Sequence, residues 1–254
     1  MAKLRLSAAE WACFRDGDME AAEVYGRLVA AGYTGVEMVA KERHSAAKAA
    51  GLEIVNACGP GMYEGLNRLE NHAKLVPELR DLTAQCQADG VGQLIVFSGA
   101  RGGQSDAAGA ANCAVGLSQL VDDAKKAGVV LAFEMLNAAD HGDYAATSSS
   151  YGYAVVKAVN SPNVRVLYDI YHQQRTGEDL LSTLVDNIDL VCHLHVAGSP
   201  RRDFPGPDQE IDYASLIRAV GTTGYCGYWG MEFVPPEDPL GNLERAAALF
   251  QSYV

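Results

Sequence analysis

Short apolar, β-branched runs alternate along the whole chain with longer Ala- and Leu-rich stretches of helical period, the pattern of βα units built around a parallel sheet. Eight such runs stand at residues 4–6, 36–39, 54–58, 93–98, 129–136, 164–170, 191–197 and 228–234. Between the first two, residues 18–31 place Ala21, Ala22, Val24, Tyr25, Leu28 and Val29 at three- and four-residue spacing, which predicts a helix with one face on a sheet. Small turns close several helical stretches: Ala31-Gly32-Tyr33, Ala50-Gly51-Leu52, Asp89-Gly90-Val91, Ala127-Gly128-Val129 and Thr223-Gly224-Tyr225. A glycine just past a helix supplies the left-handed residue that ends it, so these mark the joints from helix to strand.

Eight units in 254 residues, roughly 32 residues each, predict an α/β fold of the (β/α)8 TIM barrel type, which takes about 250 residues. A doubly wound sheet of fewer strands is the alternative. Neither a linker nor a shift in composition marks a boundary, so a single domain over 1–254 is expected. The loop at 197–209, rich in Pro and Gly, is expected to lie over the barrel mouth.

Composition narrows the class of partner. With 20 Lys+Arg against 32 Asp+Glu the net charge is −12, which argues against nucleic acid, because backbone phosphate binding rests on clustered cations. The longest apolar stretches, such as VVLAF at 129–133, fall far short of the roughly 20 residues that cross a bilayer, so no membrane span is expected. The N-terminal stretch has no apolar run of signal-peptide length, and a cytoplasmic protein is expected. The six cysteines form no CxxC pair and read as reduced, mostly buried thiols. A homo-oligomer is compatible with all of this.

Functional side chains of a (β/α)8 barrel project from the C-terminal ends of its strands. Four consecutive strands close with metal-ligand types: the fifth in Glu134, the sixth in Asp169, the seventh in His195 and the eighth in Glu232. Three carboxylates and an imidazole converging on one mouth would repel one another, and a divalent cation resolves the conflict. The oxygen-rich set suits Mg2+ or Mn2+ first, with Co2+ and Zn2+ also compatible. Each acid taken alone is equally readable as a helix cap or a partner of an arginine. His193 lies one layer deeper than His195 and reads as a packed or supporting histidine. His172 is positioned either to donate to a substrate oxygen or to close a loop, and Asn137 to touch substrate or make an Asx turn. Arg201 and Arg202 are candidate clamps for a substrate carboxylate. His44, His72 and His141 have no partner spacing and read as surface or loop residues. The tract at 99–103 resembles a phosphate-cradling loop but lacks P-loop spacing. Glu37 and Asn56 are expected either to line the mouth or to stabilise the barrel.

These residues resemble those of the hydroxypyruvate isomerase family, within the xylose-isomerase-like TIM barrels. The most specific element is Tyr168-Asp169-Ile170-Tyr171-His172 with Gln174, Gly177, Asp179 and Leu180, similar to the family's YDIYHxQ and GDL segment. Phe133-Glu134-Met135-Leu136-Asn137 with His141 and Tyr144 resembles its strand-five motif. Glu210-Ile211-Asp212-Tyr213, Gly224-Tyr225-Cys226-Gly227 and Gly230-Met231-Glu232 resemble its closing elements, and Val36-Glu37 its VE pair. The resemblance implies Glu134, Asp169 and Glu232 as metal ligands, with Glu134 and Glu232 as the acid/base pair. The seventh strand departs from it: the family usually reads HIQ where this chain has His193-Leu194-His195, and histidine there looks more like ketose 3-epimerases and sugar isomerases. In the loop that follows, only Arg202 matches the family arginine.

The expected activity is a metal-dependent isomerisation of a small hydroxy-oxo acid through a cis-enediolate, with substrate contacts from His172, Arg202 and Asn137. A ketose 3-epimerase on the same scaffold is the alternative, and a non-catalytic sugar-binding barrel the alternative of another class. A DNA-repair endonuclease of this superfold would need several zinc ions, more histidines and a basic face.

Overall fold

A computed structural model describes residues 3–14, 19–235 and 237–254. Its strands are β1 (Arg5–Ala9), β2 (Gly35–Glu37), β3 (Glu53–Ile54), β4 (Asn56–Cys58), β5 (Gln93–Val96), β6 (Val130–Glu134), β7 (Val164–Asp169), β8 (Val191–Val196) and β9 (Tyr228–Met231). They form one sheet in the order β3-β2-β1-β9-β8-β7-β6-β5-β4, and every described pairing is parallel. β3 and β4 are two pieces of a single extended run interrupted at Val55. That one run therefore stands at both ends of the strand order, and the eight expected runs account for all nine strands. This is the sheet of a (β/α)8 barrel. β1 reaches three residues beyond the apolar run that predicts it, because Ser7, polar yet fully buried, gives its hydroxyl to Glu37.

Contacts gather the chain into two compact units: Met1–Asn56 with Asp179–Ile188 and His193–Val254, and Ala57–Glu178 with Asp189–Cys192. In the first unit Trp229 packs edge-on to Phe250 at 6.4 Å, and Tyr213 lies 5.0 Å from Phe250. In the second, Phe133 on β6 stacks on Tyr151 at 6.3 Å. All five turn glycines expected at helix-to-strand joints have positive φ, from +67° at Gly90 to +99° at Gly32. Gly65 is needed for its small size instead, since a Cβ there would stand 2.2 Å from the carbonyl oxygen of Ser98, and two backbones touch where only glycine fits.

Several expectations need correction. The helix predicted over 18–31 runs Ala21–Ala31, and Asp18 lies outside the described residues. Its buried stripe is Val24, Tyr25 and Leu28, while Ala22 and Val29 face solvent. At 100° per residue those two sit about 140–160° round from Val24, beyond the arc that a sheet covers. His72 is buried in the helix Leu69–Asp89, its Nε2 2.8 Å from the carbonyl of Leu66. A single hydrogen bond to a helix-entry carbonyl is enough to bury an imidazole, and no spacing in sequence reveals it. Only Cys13, Cys86 and Cys113 are buried among the thiols, whereas Cys58 and Cys226 are exposed. Among the described residues no helix is long and apolar enough to cross a membrane.

Candidate active site

In the first unit the polar residues at the strand ends form one connected network. Glu37 closes β2, His193 and His195 share a face of β8, and Glu232 follows β9; all four are buried. Glu37 accepts at Oε1 from Ser7 Oγ (2.5 Å) and His193 Nε2 (3.1 Å), and at Oε2 from Asn56 Nδ2 (2.6 Å) and His195 Nε2 (2.9 Å). Complete burial by itself would raise the Glu37 pKa, but the two histidines, through charge and hydrogen bonding, hold it well below the ordinary carboxylate value.

The other face of His195 meets Glu232, with Nδ1 3.0 Å from Oε2. That same oxygen accepts from Arg202 Nη2 at 2.6 Å. Arg202 has φ +55°, an uncommon backbone state for a residue with a Cβ, and its guanidinium lies 6.0 Å over the Trp11 ring. Arg201 instead pairs with Asp203 at the surface, so of the two arginines it is Arg202 that turns toward the site.

In the second unit Glu134 ends β6 and Asp169 ends the neighbouring β7, in a register that pairs Glu134 with Leu167. Both carboxylates are buried. The Glu134 carbonyl accepts from Tyr144 Oη (2.9 Å), whose oxygen in turn accepts from the Ser98 amide. Asp169 caps the helix Ile170–Thr176, its Oδ1 accepting from the His172 amide at 3.0 Å. Asn137 makes the Asx turn, its Oδ1 accepting from the Asp140 amide (2.8 Å) while Nδ2 donates to the Asp140 carboxylate (2.9 Å). With the amide orientation so fixed, Nδ2 also donates to His172 Nδ1 at 2.6 Å. The fully buried His172 ring therefore carries its proton on Nε2, 3.6 Å from Asp169 Oδ2. Burial would raise the Asp140 pKa, but the hydrogen bonds from Asn137 and Tyr171 bring it below the ordinary value.

The phosphate-like tract is spent on the fold: Arg68 Nη2 donates to the carbonyls of Arg101 and Gly102, and the Gly102 amide donates to Asp143 Oδ2. A carboxylate already stands where a phosphate would need that amide. Glu37, Asn56 and His193 stand out singly in the sequence; Ser7, and the convergence of all four donors on Glu37, do not.

The family model for the xylose isomerase-like TIM barrel matches residues 17–253. The chain belongs to this family. Among its curated relatives, hydroxypyruvate isomerase of Escherichia coli is 31% identical over 110 residues, covering 43% of this chain and 42% of the relative. The 2-oxo-tetronate isomerase of Cupriavidus necator is 32% identical over 108 residues, 42% of this chain and 41% of its own length. The matched segments thus span about two fifths of those relatives. Among solved structures, an L-ribulose 3-epimerase superposes with a TM-score of 0.82 at 16% identity, covering 98% of this chain and 94% of its own. A protein from Brucella melitensis described as a family 2 AP endonuclease gives 0.81 at 23% identity, covering 96% and 98%. At those identities the likeness is one of fold.

Proposed function

We propose that this chain is a divalent-metal-dependent isomerase that moves a proton between adjacent carbons of a small α-hydroxycarbonyl compound, with a hydroxy-oxo acid as substrate. The observation that carries the reading is a pair of buried donors in each unit: Glu134 and Asp169 end the neighbouring strands β6 and β7, and His195 Nδ1 stands 3.0 Å from Glu232 Oε2. The donor chemistry fits a cation. With the His195 Nε2–H directed at Glu37 as a hydrogen-bond donor, Nδ1 and Glu232 Oε2 are two acceptors 3.0 Å apart. Metal bonds of about 2.1 Å bring neighbouring ligands to about that separation.

The bound cation would supply Lewis-acid stabilisation of a developing enediolate, worth several kcal/mol. Glu134 and Glu232 form the acid/base pair: one removes the carbon-bound proton and the other returns a proton to the neighbouring carbon or between the oxygens, each role contributing about 10²- to 10⁴-fold. His172, turned by Asn137 so that Nε2 carries the proton, donates to a substrate oxygen. Arg202, bonded to Glu232 Oε2, is the cation that would meet a substrate carboxylate. The isomerase names of the curated relatives support this class of reaction. Two observations favour a ketose 3-epimerase as the second reading: histidine at position 195, and an Arg202 already paired with Glu232. The ketose 3-epimerase of Arthrobacter globiformis, 25% identical over 121 residues, is a further relative.

The test is Mn2+- or Mg2+-reconstituted protein against short hydroxy-oxo acids and free ketoses in deuterated water, followed by NMR. Deuterium entering at one carbon of a substrate acid supports the first reading. Inversion at carbon 3 of a ketose supports the second, and the absence of exchange in every substrate refutes both.

A further inference from the structure

The buried carboxylate of Glu37 lies behind the proposed metal site and has no part in the chemistry assigned above. An ionised carboxylate offers about four lone-pair positions. In Glu37 all four are taken, two donors on each oxygen: Ser7 Oγ and His193 Nε2 on Oε1, Asn56 Nδ2 and His195 Nε2 on Oε2. Glu37, His193 and His195 are close enough together to suggest a second cation site, but a carboxylate with no acceptor position left makes a poor ligand. Its four donors make it a clamp. His193 Nδ1 is buried with no hydrogen-bond partner, so that ring's bond is the Nε2–H given to Glu37.

A second, steric observation points the same way. Gly230 on β9 pairs with Ser7 on β1 and with His195 on β8, the level at which the clamp sits. A Cβ at position 230 would stand 2.1 Å from Glu37 Oε1 and 2.7 Å from His193 Nε2. The absence of a side chain there makes the space in which the carboxylate and the deeper histidine meet.

We infer that Glu37, held by Ser7, Asn56 and His193 in the space left by Gly230, is a positioning residue that fixes His195 as the Nε2–H tautomer and thereby presents Nδ1 as the metal-binding nitrogen. The inference rests on the metal site proposed above and adds the device that orients its one nitrogen ligand. Carboxylates behind metal-bound histidines commonly change metal affinity 10- to 100-fold when removed. Glutamine at position 37 keeps the shape but turns one acceptor into a donor aimed at donors.

The test combines metal titration with imidazole NMR on the full chain. Long-range 15N spectra of the Mg2+-loaded protein, with His195 assigned by its loss in a His195→Asn variant, are expected to show a proton on Nε2 and none on Nδ1. Calorimetric titration is expected to show Mn2+ dissociation constants raised about 10- to 100-fold in Glu37→Gln and a few-fold in Ser7→Ala, with far-ultraviolet circular dichroism unchanged. Asp169→Asn, which removes a proposed ligand, should abolish binding. If Asp169→Asn loses the metal while Glu37→Gln binds within threefold of wild type, this inference falls and the metal site stands. Wild-type protein that binds no Mn2+ overturns both. Should Glu37→Gln fail to fold, the wild-type tautomer decides by itself: a proton on His195 Nδ1 overturns the inference.

Discussion

Replacing Glu232 by glutamine keeps its volume and removes its charge, and the contacts of Oε2 set the size of the effect. That oxygen stands 2.6 Å from Arg202 Nη2 and 3.0 Å from His195 Nδ1, with side-chain exposures of 10% for Glu232 and 23% for Arg202. Losing an acid/base group costs about 10²- to 10⁴-fold in rate, and losing an anionic ligand adds to this, so turnover should fall at least about 10³-fold. Glutamine still offers Arg202 an acceptor, but without the charge that makes such bonds worth about 1.5–3 kcal/mol. Because the arginine is partly solvated, the stability loss should be about 1–2 kcal/mol, or about 2–8 °C in Tm for a chain of this size. Deuterium incorporation by NMR reads the first quantity and calorimetry the second. A Glu232→Gln protein that exchanges substrate protons within tenfold of wild type would refute the assignment.

Glu134→Gln should lose about 10²- to 10⁴-fold in turnover by the same assay. Its Tm should stay within a few degrees, since the Tyr144 bond goes to the Glu134 backbone, which the substitution keeps. Mn2+ at a hundred times its dissociation constant should add about 2.7 kcal/mol of stability, read as a rise in Tm that chelator reverses and Asp169→Asn abolishes. Glu10 is buried against Arg43 Nη2 at 2.6 Å; burial would raise its pKa, but hydrogen bonds from Arg43, Tyr25 and the Ala40 amide bring it below the ordinary value. A carboxyl whose folded pKa is depressed binds fewer protons folded than unfolded, so its contribution is complete above the unfolded value and is lost as pH falls through the folded one. Glu10→Gln should therefore cost about 1.5–3 kcal/mol at neutral pH and flatten the acid side of the stability profile below about pH 4.5, as urea unfolding across pH would show; parallel wild-type and variant profiles would contradict it.

The succession of strands, the glycines that end helices and the acids that close strands were all legible in the sequence. Each is a local property: hydrophobic period, the left-handed conformation after a helix, and the rule that a barrel strand presents its last residues at one end. Glu134, Asp169, His195 and Glu232 could be singled out for the same reason, because position along a strand is written in the chain itself. What surrounds them was decided by contacts between distant segments. Glu37 meets His193 and His195 across 156 and 158 residues. Arg202, rather than Arg201, reaches Glu232 because the backbone at 202 turns through positive φ, while Arg201 pairs with Asp203. The glycine-rich tract at 99–103 gives an amide to Asp143, 41 residues away, instead of to an anion. Side-chain hydrogen bonds reach about 3 Å and depend on direction, so which donor finds which acceptor is settled only when the chain has brought remote strands side by side.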